Sequence, residues 1–119
     1  MTDKRNPAKF YRNENGKEPV RNWLKDLSQE ERRLIGTDMK TVEFGWPIGM
    51  PICRPMGNGL FEVRTDLPQG IARVLFCIYQ NQMILLHGFI KKSQKTPKKD
   101  LDLALERKQK LESEVDNEE

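Results

Sequence analysis

Residues 60–91 read LFEVRTDLPQGIARVLFCIYQNQMILLHGFIK, and this stretch decides the fold. Leu60 to Thr65 has the composition of a strand. Asp66 to Gly70 contains Pro68 and closes on a glycine, the chemistry of a turn. Ile71 to Tyr79 is almost wholly apolar apart from Arg73, as expected of a central strand covered by packing. Gln80-Asn81-Gln82 turns the chain again, and Met83 to Ile90 supplies a third strand. Consecutive strands with short turns predict an antiparallel meander.

Towards the N-terminus the period changes from two to 3.6. Val20, Trp23, Leu24 and Leu27 recur at i, i+3, i+4 and i+7, one apolar stripe on a helix, with Pro19 in the first turn, where its missing N–H costs nothing. Ser28 followed by Glu31 is a capping box and starts a second helix at once, continued by Ile35, Met39 and Val42 until Gly45 and Pro47 stop it. A helical hairpin is expected over about residues 18–44, preceded by a short strand over 8–12. Residues 45–59 are dense in Gly and Pro and read as an irregular crossing loop, with room for a short strand near Ile52 to Met56. Beyond the meander, Thr96 and Pro97 suit the cap and first position of a last helix, whose stripe is Leu101, Ala104, Leu105 and Leu111. The order β-α-α-β-β-β-α predicts a small α+β domain with helices against one face of an antiparallel sheet.

The 119 residues fit one domain. Residues 1–111 are read as that domain and residues 112–119 as an acidic tail expected to be disordered. Charged residues make up 33% of the chain, and mean hydropathy is −0.77, so most side chains must stay wet. No apolar run is long enough to span a bilayer. Cys53 and Cys77 belong to no CxxC motif and are expected as buried free thiols in a reducing cytoplasm, since no secretory leader is read. Net charge is +3, but five acids fall in the last eight residues, leaving +8 over residues 1–111. Eight basic and three acidic residues lie between Lys91 and Lys110. Such a segment suits a polyanion, or is simply a solvated helix face.

Three segments carry a family likeness: Leu60-Phe61-Glu62-Val63-Arg64, Ala72-Arg73-Val74-Leu75-Phe76, and the run LLHGFIKKSQKTPKKDLDLALERK from Leu85 to Lys108. With Val20-Arg21-Asn22-Trp23-Leu24, they make the chain resemble the RelE/ParE toxin superfamily, in its HigB-like, phage-associated branch, over roughly residues 8–111. The resemblance implies a RelE-like fold and a cytoplasmic toxin that cleaves mRNA on translating ribosomes. It also implies a cognate helix-turn-helix, HigA-like antitoxin and, through that complex, operator DNA.

RNA brings its own nucleophile, the 2′-OH beside the scissile phosphate. A ribonuclease must remove that proton, stabilise the transition-state charge and protonate the leaving oxygen. The single histidine excludes a two-histidine acid–base pair, and there is no HExxH, paired Cys/His cluster or dense carboxylate trio, so metal-independent chemistry without a cofactor is expected. Cations on strands remain. Arg64 and Arg73 are the candidates to stabilise the phosphate, and Lys92, or else Lys91, to transfer the proton. Lys95, Lys98 and Lys99 are candidates for flanking phosphates, with His87 and Phe89 as further RNA contacts.

Each pick has a plainer alternative. Arg64 can pair with Glu62 or Asp66, Arg73 needs a partner if buried, His87 suits a structural role, and Phe89 suits the core. Glu62 is a lesser candidate for the base, and Trp23 and Leu27 belong to the core rather than to an antitoxin groove. Two other functions share this fold: a ParE-like, non-nucleolytic gyrase inhibitor, and an inactive regulator that binds only antitoxin and operator.

Overall fold

Two interior strands with apolar side chains on both faces organise the molecule. In the computed structural model, which describes residues 5–49 and 51–117 and side chains as far as Ser113, these are β4 (Gly70–Tyr79) and β5 (Gln82–Lys91). Around them run β1 (Ala8–Phe10), α1 (Pro19–Lys25), α2 (Gln29–Gly45), β2 (Cys53–Gly57), β3 (Leu60–Leu67) and α3 (Lys98–Asn117). The sheet order is β1-β5-β4-β3-β2.

Alternation along β4 sends Ala72, Val74 and Phe76 to one face and Leu75 and Cys77 to the other. The first face buries Val20 of α1 and Ile35 and Val42 of α2. The second takes Leu101, Ala104, Leu105 and Leu111 of α3. The α+β class and the helical hairpin are as expected, but helices cover both faces rather than one. The reason is visible on β5, where Ile84 and Leu86 present a second apolar surface that only the stripe of α3 can cover.

The sheet is also mixed. β1 runs parallel to β5, with Ala8 opposite Met83, at the edge remote from β2. It is held there by α2: the Glu43 carboxylate accepts the Ala8 N–H at 2.6 Å, and the Glu43 carbonyl accepts those of Arg5 and Asn6. The capping box forms, with Ser28 Oγ accepting from the Glu31 N–H at 3.1 Å and Glu31 Oε1 from the Ser28 N–H at 2.8 Å.

The Gly- and Pro-rich loop resolves into β2, paired antiparallel to β3. Asn58 and Gly59 both have positive φ, 55° and 76°, and close the two-residue hairpin that such a pair favours. Pro55 is tolerated because β2 is an edge strand. At the far end α3 continues to Asn117, beyond residue 111, into the stretch where composition points to disorder.

Gly88 marks the closest approach of helix to sheet. The α1 residue Trp23 lies flat on its backbone, so that a Cβ there would press into the indole, 2.9 Å from Cδ2 and nearer still to Cε3 and Cζ3. Gly88→Ala is therefore expected to cost about 3 kcal/mol, because α1 must lift to admit the methyl. A denaturation cycle with Trp23→Leu checks this. If the ring is the obstacle, the penalty largely disappears in the Trp23→Leu background.

Candidate functional site

Pairing register arranges the polar side chains of the α3 face in rows across the strands. The first row is Arg54, Glu62, Leu75 and His87, the second Arg64, Arg73 and Phe89, the third Asp66, Ile71 and Lys91. A β-bulge lets His87 join the first row: Phe76 pairs with Leu85 and Leu75 with His87, leaving Leu86 as the extra residue.

The segment 92–97 leaves β5 and folds back over these rows, held from beneath. Arg73, wholly buried, donates through Nη2 to the Ser93 carbonyl and through Nη1 to the Lys95 carbonyl at 3.2 Å. Arg64 donates through Nη2 to the Gln94 carbonyl at 2.5 Å, and its Nε donates to Glu62 Oε1 at 2.6 Å. Glu62, with no exposed surface, accepts the Thr96 hydroxyl on Oε2 at 2.5 Å. Two guanidiniums and one carboxylate thus fix four consecutive loop residues.

Charge is unevenly matched here. Burial, with Arg64 and Arg54 nearby, pulls the Arg73 guanidinium below its ordinary value, and Glu62 and Asp100 only partly offset it. On the α3 side, His87 Nε2 lies 2.7 Å from Asp100 Oδ1, and Arg107 Nη1 donates to the Leu86 carbonyl at 2.8 Å. Beside the rows, a groove of about 480 Å³ is lined by Arg54, Arg64, Asp66 and Gln94 over Ile52 and Ile71.

The model of the family described as phage-derived protein Gp49-like (DUF891) matches residues 22–109. The chain belongs to this Gp49-like family. The match runs from Asn22 in α1 to Gln109 in α3 and so contains every residue of the three rows. No curated protein matches the chain significantly.

In this Gp49-like chain the candidate residues divide into two groups. Arg64 and Arg73 come together as cross-strand partners, but both are turned inward. Arg64 keeps 10% of its side chain exposed and stays at the groove edge, whereas Arg73 keeps none. In this conformation Arg73 shapes the 92–97 loop rather than facing a phosphate. Phe89 packs inside against His87, centroids 5.4 Å apart, with the Arg73 guanidinium 5.8 Å from its centroid, so it offers no open face to a base. Lys91 is half-buried at the end of β5. Lys92, Lys95, Lys98 and Lys99 are exposed, and Lys98 pairs with Asp102 at 2.8 Å.

Thr96 is not the helix cap. The Pro97 carbonyl accepts the Leu101 N–H, and the Thr96 hydroxyl is taken by Glu62. Two residues of the site escape the sequence reading. Arg54 falls within the short strand expected near Ile52 to Met56, but only the Asn58-Gly59 hairpin sets the register that places it opposite Glu62. Asp100 shows no local signal, since its partner His87 lies thirteen positions earlier on a strand.

Cys53 and Cys77 are buried free thiols, each pushed up to about 11 chiefly by burial. Among the described residues no three His, Cys, Asp or Glu side chains are grouped so as to hold a metal ion, and no helix is long and apolar enough to cross a membrane.

Proposed function

We propose that this Gp49-like protein is the toxin of a type II toxin–antitoxin pair, a HigB-like endoribonuclease that cuts mRNA on the ribosome in the cytoplasm through the RNA's own 2′-OH. The observation that supports it is the gathering of Arg54, Arg64 and Arg73 beneath a loop whose outer surface carries Lys92 and Lys95, with Lys98 and Lys99 beside it. Arg54 and Arg64, at the groove edge, are suited to the charge that develops on a phosphorane-like transition state. The exposed lysines suit flanking phosphates, and Lys91 is half-buried at the end of β5. The partners on this reading are a helix-turn-helix, HigA-like antitoxin and, through it, operator DNA.

Tightly controlled induction with mapping of transcript 5′ ends tests the proposal. Cuts phased to codons on translated messages, lost in Arg64→Ala, are expected. A DNA-damage response without cuts would identify a ParE-like gyrase inhibitor instead, and absence of toxicity a regulator. A second expectation concerns affinity. Lys95→Ala, Lys98→Ala and Lys99→Ala should leave the melting temperature unchanged, while each lowers the slope of log affinity against log salt for single-stranded RNA by about 0.7. Titrations at several salt concentrations read this directly. Unaltered slopes would remove these lysines from the RNA path.

A further inference from the structure

β2 begins at Cys53, opposite Val63, whereas β3 runs on to Leu67. The groove of about 480 Å³ takes in this end of the sheet, around the point where the Arg64 N–H donates to the Ile52 carbonyl at 2.9 Å. Along β3 the charge of its wall reverses. Arg64 is followed, two residues on and on the same face, by Asp66, about 7 Å further along the strand. Asp38 of α2 lines the groove as well, and the half-buried side chains of Ile52 and Ile71 give it an apolar surface.

Phosphate binding accounts for Arg54 and Arg64 but not for Asp66. This aspartate is exposed, and among the described residues its carboxylate forms no hydrogen bond or ion pair. Arg64, its neighbour on the strand, turns its Nε to Glu62 instead. Asp38 gives Oδ2 to the Thr65 hydroxyl at 2.7 Å. A carboxylate beside the path of a polyanion repels it and is of use only to a group that donates. The donors of RNA are its 2′-hydroxyls and the N–H groups of its bases, and only the bases also have a flat face to lie against two isoleucines.

We propose that the groove is a guanine subsite, in which the base lies on Ile52 and Ile71, its N1–H and N2–H donate to the Asp66 carboxylate, and the phosphate of the same nucleotide is held by Arg54 and Arg64. The inference deepens the ribonuclease reading above and rests on it. Guanine is the base whose Watson–Crick edge sets two donors side by side, a match for the two oxygens of one carboxylate. Adenine and cytosine place a ring-nitrogen acceptor next to the amino group, and uracil flanks its one N–H with carbonyls. Each of these turns a lone pair towards Asp66. Gln94 completes the pattern: its Oε1 accepts from Arg64 Nη1 at 3.4 Å, which leaves its amide NH₂ to donate to guanine O6. That edge is accessible only on an unpaired base, so the subsite selects single-stranded RNA.

Binding of uncleavable RNA tests this without recourse to activity. Uridine pentamers with a central guanosine, inosine, adenosine or cytidine, 2′-O-methylated throughout and fluorescently labelled, are titrated with the full chain and followed by anisotropy. The guanosine pentamer should bind about tenfold or more tightly than those with adenosine or cytidine. Inosine keeps N1–H and O6 but lacks the N2 amino group, and should fall between. Asp66→Asn and Asp66→Ala separate base recognition from surface charge. If the carboxylate is only a charge, its removal strengthens binding of every pentamer alike. On the proposal the adenosine and cytidine pentamers gain while the guanosine pentamer loses its advantage. Asp66 is exposed, so both variants should melt as wild type does.

Pentamers bound equally, or not bound at all, overturn the subsite, and so does a guanosine preference that survives in Asp66→Ala. The ribonuclease reading is decided separately by the transcript maps, so the two can fail independently. Guanosine 3′-monophosphate that binds as tightly as the guanosine pentamer would assign the groove to a free nucleotide and overturn its assignment to RNA.

Discussion

Glu62→Ala is expected to destabilise the fold by about 3–5 kcal/mol, a large fraction of the stability of a domain this size. The carboxylate has no exposed surface, and each of its oxygens holds a different element: Arg64 on its own strand, and Thr96 on the loop. Without it, Arg64 and Arg73 remain as cross-strand neighbours with Arg54 close by and no carboxylate between them. Desolvated like charges are then added to the loss of two hydrogen bonds. Glu62→Gln keeps an acceptor for Thr96 but not the charge, and should fall between wild type and alanine. Urea denaturation gives the values. Glu30→Ala, which breaks the exposed pair with Arg33, is the control, and no measurable change is expected. If Glu62→Ala melts like that control, the buried cluster does not hold the fold together.

What the sequence discloses, and what it hides, follows from the range of the forces involved. The helical hairpin is legible because its signals are local: a stripe from Val20 to Leu27 and a capping box spanning three residues. The three-strand meander is legible for the same reason, with Gln80 and Asn81 turning at φ of 50° and 62°. β2 was half-hidden because Gly and Pro at an edge strand resemble a loop, although Asn58-Gly59 was the clue. The parallel pairing of β1 is non-local and rests on Glu43, at the far end of α2. At the site, composition gathers the cations but not their direction. Whether Arg73 faces solvent or the interior depends on the backbone carbonyls of Ser93 and Lys95, twenty residues along, which no side-chain pattern announces. The same holds for Thr96, whose local capping role loses to a buried carboxylate thirty-four positions away.

That inward turn of Arg73 separates stability from activity. Arg73→Met removes two of the donors that hold the 92–97 loop, leaving that of Arg64 to Gln94, but it also removes one of three crowded positive charges. The freed carbonyls belong to exposed residues and can turn to water, unlike the partners of Glu62. The stability loss should therefore be smaller than for Glu62→Ala, about 2 kcal/mol or less. RNA cleavage, on the proposed function, should fall about 10²-fold or more, because Lys92 and Lys95 ride on that loop and a displacement near 1 Å is enough for such a loss. Arg73→Lys retains the charge but has no fork to span two carbonyls, and should slow cleavage as the methionine variant does. Hydrogen exchange of the amides of residues 92–97, measured beside single-turnover cleavage, connects the two effects. Fast loop exchange with slow cleavage is the expected pair. A variant with a freed loop and undiminished cleavage would show that the loop's conformation does not set the rate.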